Sequence, residues 1–344
     1  LALATLLRPS EALSQSATIA GYRYPYGAQE TLSSGCQSDS CTAYIDPQDS
    51  NNYPMPKVAV YISNSTSFPT ATQVDWTITV SYTDPYGLPL PTPYSYSGTT
   101  SPSSAILTMG AGSWDQDVGG TATVTAILRD CTGDEVGSSA PFTFYILGKI
   151  QSEAQVDDNK GGMPWFTGSM ITAESCAAQN AGQADQFSPT NGFCSDSENA
   201  AGYPLFGPTD GIGLMQPDRS QNPAVFSDCT YFNFLCNMSS AEQVLTSKGS
   251  ESENNWLTQY ETNSHYTAVT GDQGYPSCSF QTSTEPLGDH SYGDADWIQD
   301  YNTHSGGYYY LWWNASTHEW NFKYNNPSQR GYNYVPEVCN SASY

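Results

Sequence analysis

Glu174 is the residue whose type and position could do chemistry. It lies four residues after Met170 and four before Ala178. At about 100° per residue it therefore shares the helical face that those two apolar side chains should turn inward. A carboxylate on such a face must be neutral, paired or catalytic, because a bare buried charge is costly. No Lys or Arg lies within a helical turn of it. An apolar wall raises a carboxyl's pKa and keeps it protonated, ready to donate to a leaving oxygen. The plainer alternative is a solvated Glu at the rim of the helix, and periodicity alone weighs the two equally.

Other chemistries find less support. His265, His290, His304 and His318 are scattered among loop-like segments with no i, i+4 pair, so no metal and no cofactor is expected. There is no glycine-rich phosphate loop and no Gly-x-Ser-x-Gly elbow. The nine cysteines show no paired C-x-x-C arrangement, and disulfides in an oxidising compartment are the default reading. Cys36 with Cys41, and Cys229 with Cys236, are close enough to close short loops, and Cys131, expected on a strand of the middle domain, is the odd one out. Asn64, Asn237 and Asn314 each begin an N-x-S/T acceptor, which matters only in a host that glycosylates.

The elements that must position Glu174 emerge from patterning along 344 residues, enough for two or three domains. Residues 1–54 show no sustained period and read as an N-terminal arm or irregular segment. Residues 55–148 alternate β-branched or aromatic residues with polar ones, as in QVDWTITVSY (73–82) and TATVTAIL (121–128). Turn clusters separate these runs, which predicts an all-β immunoglobulin-like sandwich with Trp76 in its core. Residues 149–163 are polar and read as a linker. From Pro164 to 344 the period turns helical, and a mainly α domain is expected there. Ser239 and Glu242 form a capping-box pattern, and Asp210-Gly211 signals a hairpin turn. The aromatic run YYYLWWNASTHEWNFKY (308–324) could stack on sugars, but filling a core is the better reading.

The balance of 10 basic and 34 acidic residues gives a formal net charge of −24. Such a chain repels nucleic acid and anionic membrane surfaces, so neither is expected as a partner. Solubility explains the charge most simply; an acidic habitat is the sharper alternative. No run of 18 apolar residues exists, so the chain is not expected to span a membrane. The opening LALATLL could be the tail of a signal or anchor segment, or a tag for self-assembly onto a neighbour.

ITAESCAAQ (171–179), GIGLMQ (211–216) and DYNTHSGGYYY (300–310) together resemble the transglycosylase SLT and goose-type lysozyme group. FNFLCNMSSAEQVLTSKG (232–249) also looks like the helix that such domains place after G-L-M-Q. The closing strands of 55–148 are similar to bacterial Ig-like modules. The resemblance covers roughly residues 163–340. It implies a mainly α lysozyme-like domain acting on peptidoglycan or a related glycan. Glu174 would be the catalytic acid and Ser175 its neighbour at the substrate. Gly213, Leu214, Met215 and Gln216 would line the cleft floor, with Tyr301 and Asn302 approaching the acid. Departures are the 39 positions from Glu174 to Gly213 and the extra Thr303-His304-Ser305 before the next glycines.

A retaining hydrolase needs a second carboxylate at about 5 Å, and an inverting one at about 6.5–9.5 Å. Asp196, Glu198 and Asp210 are the candidates for that group, and none has a motif behind it. The resemblance favours the one-carboxylate, lytic transglycosylase route, with an inverting muramidase as runner-up. The expected enzyme is secreted, extracellular or at the cell surface, with the periplasm also open. The competing readings are a non-catalytic structural or adhesive surface protein on a lysozyme-like scaffold, and a glycan-binding module with a lapsed site.

Overall fold

The computed structural model describes residues 15–25, 28–36, 38–47, 54–83, 92–102, 106–110, 113–149, 151–163, 167–174, 203–207 and 210–256. It also describes 301, 309–314, 316, 319–324 and 338. The chain divides into two compact units, the first running to Leu147 and the second beginning at Gly148.

The first unit is built from strands. In order they are β1 (Gln15–Ala17), β2 (Ile19–Arg23), β3 (Glu30–Leu32), β4 (Thr42–Ile45) and β5 (Val58–Ile62). There follow β6 (Gln73–Ser81), β7 (Tyr94–Thr100), β8 (Ile106–Met109), β9 (Gly120–Arg129), β10 (Glu135–Ser139) and β11 (Phe142–Gly148). They form a seven-stranded sheet around β9 and a four-stranded sheet ordered β3-β2-β5-β8.

Alternation makes the seven-stranded sheet two-faced. Val74, Trp76, Ile78 and Val80 of β6 are buried, as are Ala122, Val124, Ala126 and Leu128 of β9. The antiparallel register sets the largest of these, Trp76, opposite the small Ala126, so bulk on one strand meets space on the next. The Trp76 indole N–H donates to Thr100 Oγ1 at 2.8 Å. Opposite β6, β9 pairs first with β10 and then with β11. The break between those two falls at Pro141, which has no N–H to give. Ser139 Oγ accepts the Ala126 N–H there at 2.9 Å. The two sheets meet where Gly21 of β2 lies under Phe142 of β11, and a Cβ at Gly21 would be 3.3 Å from the ring.

Residues 15–45, expected to be an irregular arm, contribute four strands to these sheets. Their partners are distant in sequence: β1 runs parallel to β10, and β2 lies between β3 and β5. Asn64 stitches the crossing from β1 to β2, accepting from the Thr18 N–H and donating to the Ser16 carbonyl. Cys36 and Cys41 are paired, and the free Cys131 lies exposed in the β9–β10 turn rather than on a strand.

The second unit has α1 (Glu153–Asn159), α2 (Thr167–Glu174), α3 (Cys229–Phe232) and α4 (Phe234–Trp256), with the hairpin β12 (Tyr309–Asn314) and β13 (Glu319–Tyr324). Ser152 opens α1 with a complete capping box, so the expected linker 149–163 carries a helix. The capping-box pattern at Ser239 and Glu242 does not start a helix. α4 begins at Phe234, where the Asn233 side chain accepts from the Leu235 and Cys236 N–H groups.

The mainly α lysozyme-like domain expected over 164–344 is not seen. Among the described residues strand accounts for 37% and helix for 25%. The physical reason is visible in the aromatic run: its alternation is period two, and 309–324 pairs as an antiparallel hairpin with Trp313 opposite Trp320. No helix among the described residues is long and apolar enough to cross a membrane.

Two predictions concern the first unit. Gly120 has φ +121, and a Cβ there would lie 2.2 Å from the Ser81 carbonyl oxygen, whereas Gly133 has φ +89 and open space around it. Gly120→Ala should cost about 3–5 kcal/mol in urea unfolding, and Gly133→Ala about 1–2 kcal/mol from backbone strain alone. Equal losses would contradict the steric account. Asp75 is held below the usual carboxylate range, first by the Gln73 amide and then by Arg129, whose Nε lies 2.5 Å from its carboxylate. A lowered folded pKa stabilises above the unfolded value and is lost as pH falls through the folded one. The stability gap between wild type and Asp75→Asn should therefore be full above about pH 4 and close on further acidification. A gap independent of pH would contradict this.

Candidate functional site

The G-I-G-L-M-Q segment is a short irregular turn whose ends bridge to their surroundings. Phe206 pairs with Ile212, and Gly211 with Asp218. The Gly213 N–H donates to the Leu205 carbonyl at 2.7 Å, and the Gly207 N–H to the Gly211 carbonyl at 2.8 Å. Asp210 at φ 79 and Gln216 at φ 48 are the two left-handed non-glycine residues among the described residues, and Gly213 between them has φ 74. Each such non-glycine conformation costs about 1–2 kcal/mol. Strain is thus concentrated in seven residues and must be held by something else.

What holds it is a set of buried side chains. The Asn237 amide donates to the Ile212 carbonyl at 2.7 Å and accepts from the Met215 N–H at 3.2 Å. The Tyr301 hydroxyl donates to the Met215 carbonyl at 2.7 Å, across 86 positions of sequence. Gln216 folds its amide back on the Gly213 carbonyl at 2.6 Å and the Leu205 carbonyl at 3.3 Å. Its Oε1 is buried with no hydrogen-bond partner, an arrangement that costs about 1–3 kcal/mol. Asp210 meets the Arg219 guanidinium at 3.3 Å, with both side chains nearly buried. Arg219 in turn lies 5.5 Å from the centre of the Tyr231 ring, which packs against Phe206.

α4 supplies the base of this arrangement. Phe234, Asn237, Met238, Ala241, Val244, Leu245 and Lys248 are buried at helical spacing. Its first turn is fixed by the Asn233 cap and by the Cys229–Cys236 disulfide. Ser240 Oγ adds a hydrogen bond to the Val225 carbonyl at 2.9 Å.

The structure brings together Gly213, Leu214, Met215, Gln216 and Tyr301 of the residues expected from sequence. It corrects the role of two: Leu214 and Met215 are fully buried, backbone included, and form core rather than a cleft floor. Asp210 is engaged by Arg219 and serves the turn, which removes it as a second carboxylate. Glu174 is the last residue of α2, one turn beyond the buried Met170 and Ile171; its side chain lies outside the described residues. Ser175, Asp196, Glu198 and Asn302 lie outside them as well. Asn237 was legible only as a glycosylation acceptor, and its complete burial removes that role in the folded chain. The signal for its real position is an amide at helical spacing among the apolar Phe234, Met238, Ala241, Val244 and Leu245.

Tyr301→Phe removes the hydroxyl bonded to the Met215 carbonyl. We expect a loss of about 1–3 kcal/mol in denaturant unfolding, with faster amide exchange across residues 211–216. Unchanged stability and exchange would show that Tyr301 does not hold the loop. No protein-family model matches the chain, and neither a curated protein nor a solved structure is found to be similar to it.

Proposed function

We propose that the chain cleaves the MurNAc–GlcNAc β-1,4 bond of peptidoglycan outside the cytoplasm, with Glu174 as its single acid and base. The observation that carries the reading is the strained turn 210–216, locked from one side by Asn237 and from the other by Tyr301. Strain and an orphaned buried acceptor persist where a backbone shape is needed for work rather than for stability. The G-L-M-Q turn and the Tyr301 segment are two of the three on which the sequence resemblance rests, and Tyr301 bonds the turn here. The third begins at the buried Ile171 and carries Glu174 as the last residue of α2. The reading depends on these residues and not on an α-helical lysozyme architecture. Two paired cysteine sets support an oxidising compartment.

In the one-carboxylate route, protonated Glu174 donates to the glycosidic oxygen as its bond to C1 breaks. The resulting carboxylate takes the proton of the sugar's own 6-hydroxyl, whose oxygen bonds to C1 and closes a 1,6-anhydro ring. No water is consumed. An inverting hydrolysis would need a second carboxylate, and Asp210 is already committed to Arg219.

The test is clearing of a purified peptidoglycan suspension by wild type and by Glu174→Gln. The variant should lose at least about a hundredfold in rate, as expected for removal of a general acid, while its thermal unfolding stays unchanged. Equal clearing by both would refute the assignment. No clearing by wild type, with glycan still retained in a pull-down, would favour the binding-module reading.

A further inference from the structure

We infer that Asn237 is a positioning residue of the glycan-cleaving site, its amide being the template on which the left-handed turn at Gly213 is set. The inference rests on the proposed glycan cleavage and goes beyond it by naming what fixes the turn.

Both halves of the Asn237 amide are used on one short stretch of backbone. Its Nδ2 meets the Ile212 carbonyl and its Oδ1 the Met215 N–H. These two contacts bracket Gly213 and Leu214. The pattern admits one orientation of the amide, because turning it over would set donor against donor and acceptor against acceptor. The side chain is completely buried, so no water can replace a lost contact without a cavity. Residue 213 is matched to it: a Cβ there would lie 2.5 Å from Asn237 Nδ2. Glycine is therefore demanded twice, by φ 74 and by the amide above it.

Met215 is consequently held at both ends of its peptide unit, its N–H by α4 and its carbonyl by Tyr301. Neither residue has to touch the substrate to matter. A shift of about 1 Å in a site wall can cost about a hundredfold in rate without unfolding a protein. The immediate neighbour Cys236 ties this turn of α4 to α3 through its disulfide, so the template is itself anchored.

Steady-state kinetics on purified peptidoglycan, with thermal unfolding measured in parallel, tests the inference in the full chain. Asn237→Ala should lower kcat by about 10- to 100-fold and leave KM within about twofold. Asn237→Asp keeps the shape and the acceptor for Met215 but sets a carboxylate oxygen against the Ile212 carbonyl, so kcat should fall there too. That variant serves if the alanine variant does not fold. Gly213→Ala should be damaging in both backgrounds because of φ 74, and less so in Asn237→Ala, where the obstructing amide is gone. Wild-type kcat in a folded Asn237→Asp or Asn237→Ala variant would overturn the inference and leave the proposed function standing. An inactive wild type would overturn both.

Discussion

The amide of Asn237 touches a carbonyl and an N–H of the same turn, and both contacts are buried. The surroundings of the turn follow from the need to keep that pair of bonds. Residue 213 has to be glycine, since any side chain would collide with the amide. α4 has to start in register, which the Asn233 cap and the Cys229–Cys236 bond secure at its first turn. The flanks of the turn need the Asp210–Arg219 pair and the folded-back Gln216, because a left-handed non-glycine backbone does not persist unaided. A buried ion pair is weak evidence of stability in itself. Its place at the end of a strained turn suits a role in fixing register.

The first unit obeys a simpler constraint. The two central strands, β6 and β9, bury every second residue, and their register sets the large Trp76 opposite the small Ala126. Its polar features mend the places where the ladder fails. Ser139 substitutes beside Pro141, and Asn64 bridges the step by which the chain passes from one sheet to the other. None of these features gathers titratable groups.

Alternation made the strands after residue 57 readable, and Trp76 lies in the core where its neighbours point. The strands before residue 46 were not readable because they are three to five residues long and pair with segments far away in sequence. Tertiary pairing, not local pattern, makes them strands. The helical pattern of the second half was over-extended: the aromatic run near 309–324 alternates with period two and pairs as a hairpin. At the candidate site the motif residues were legible, but their roles were not. Leu214 and Met215 look like surface contacts in a motif and are core in the fold. Asn237 looked like an acceptor for glycan and instead holds the backbone.

The most direct measurement is a crystal structure of the Glu174→Gln variant with a peptidoglycan tetrasaccharide bound. The account predicts the residue-174 amide within hydrogen-bond distance of a glycosidic oxygen, with the turn 210–216 unchanged on its Asn237 and Tyr301 hydrogen bonds. A tetrasaccharide bound away from residue 174, or that side chain directed into bulk water beside an occupied groove, would contradict it.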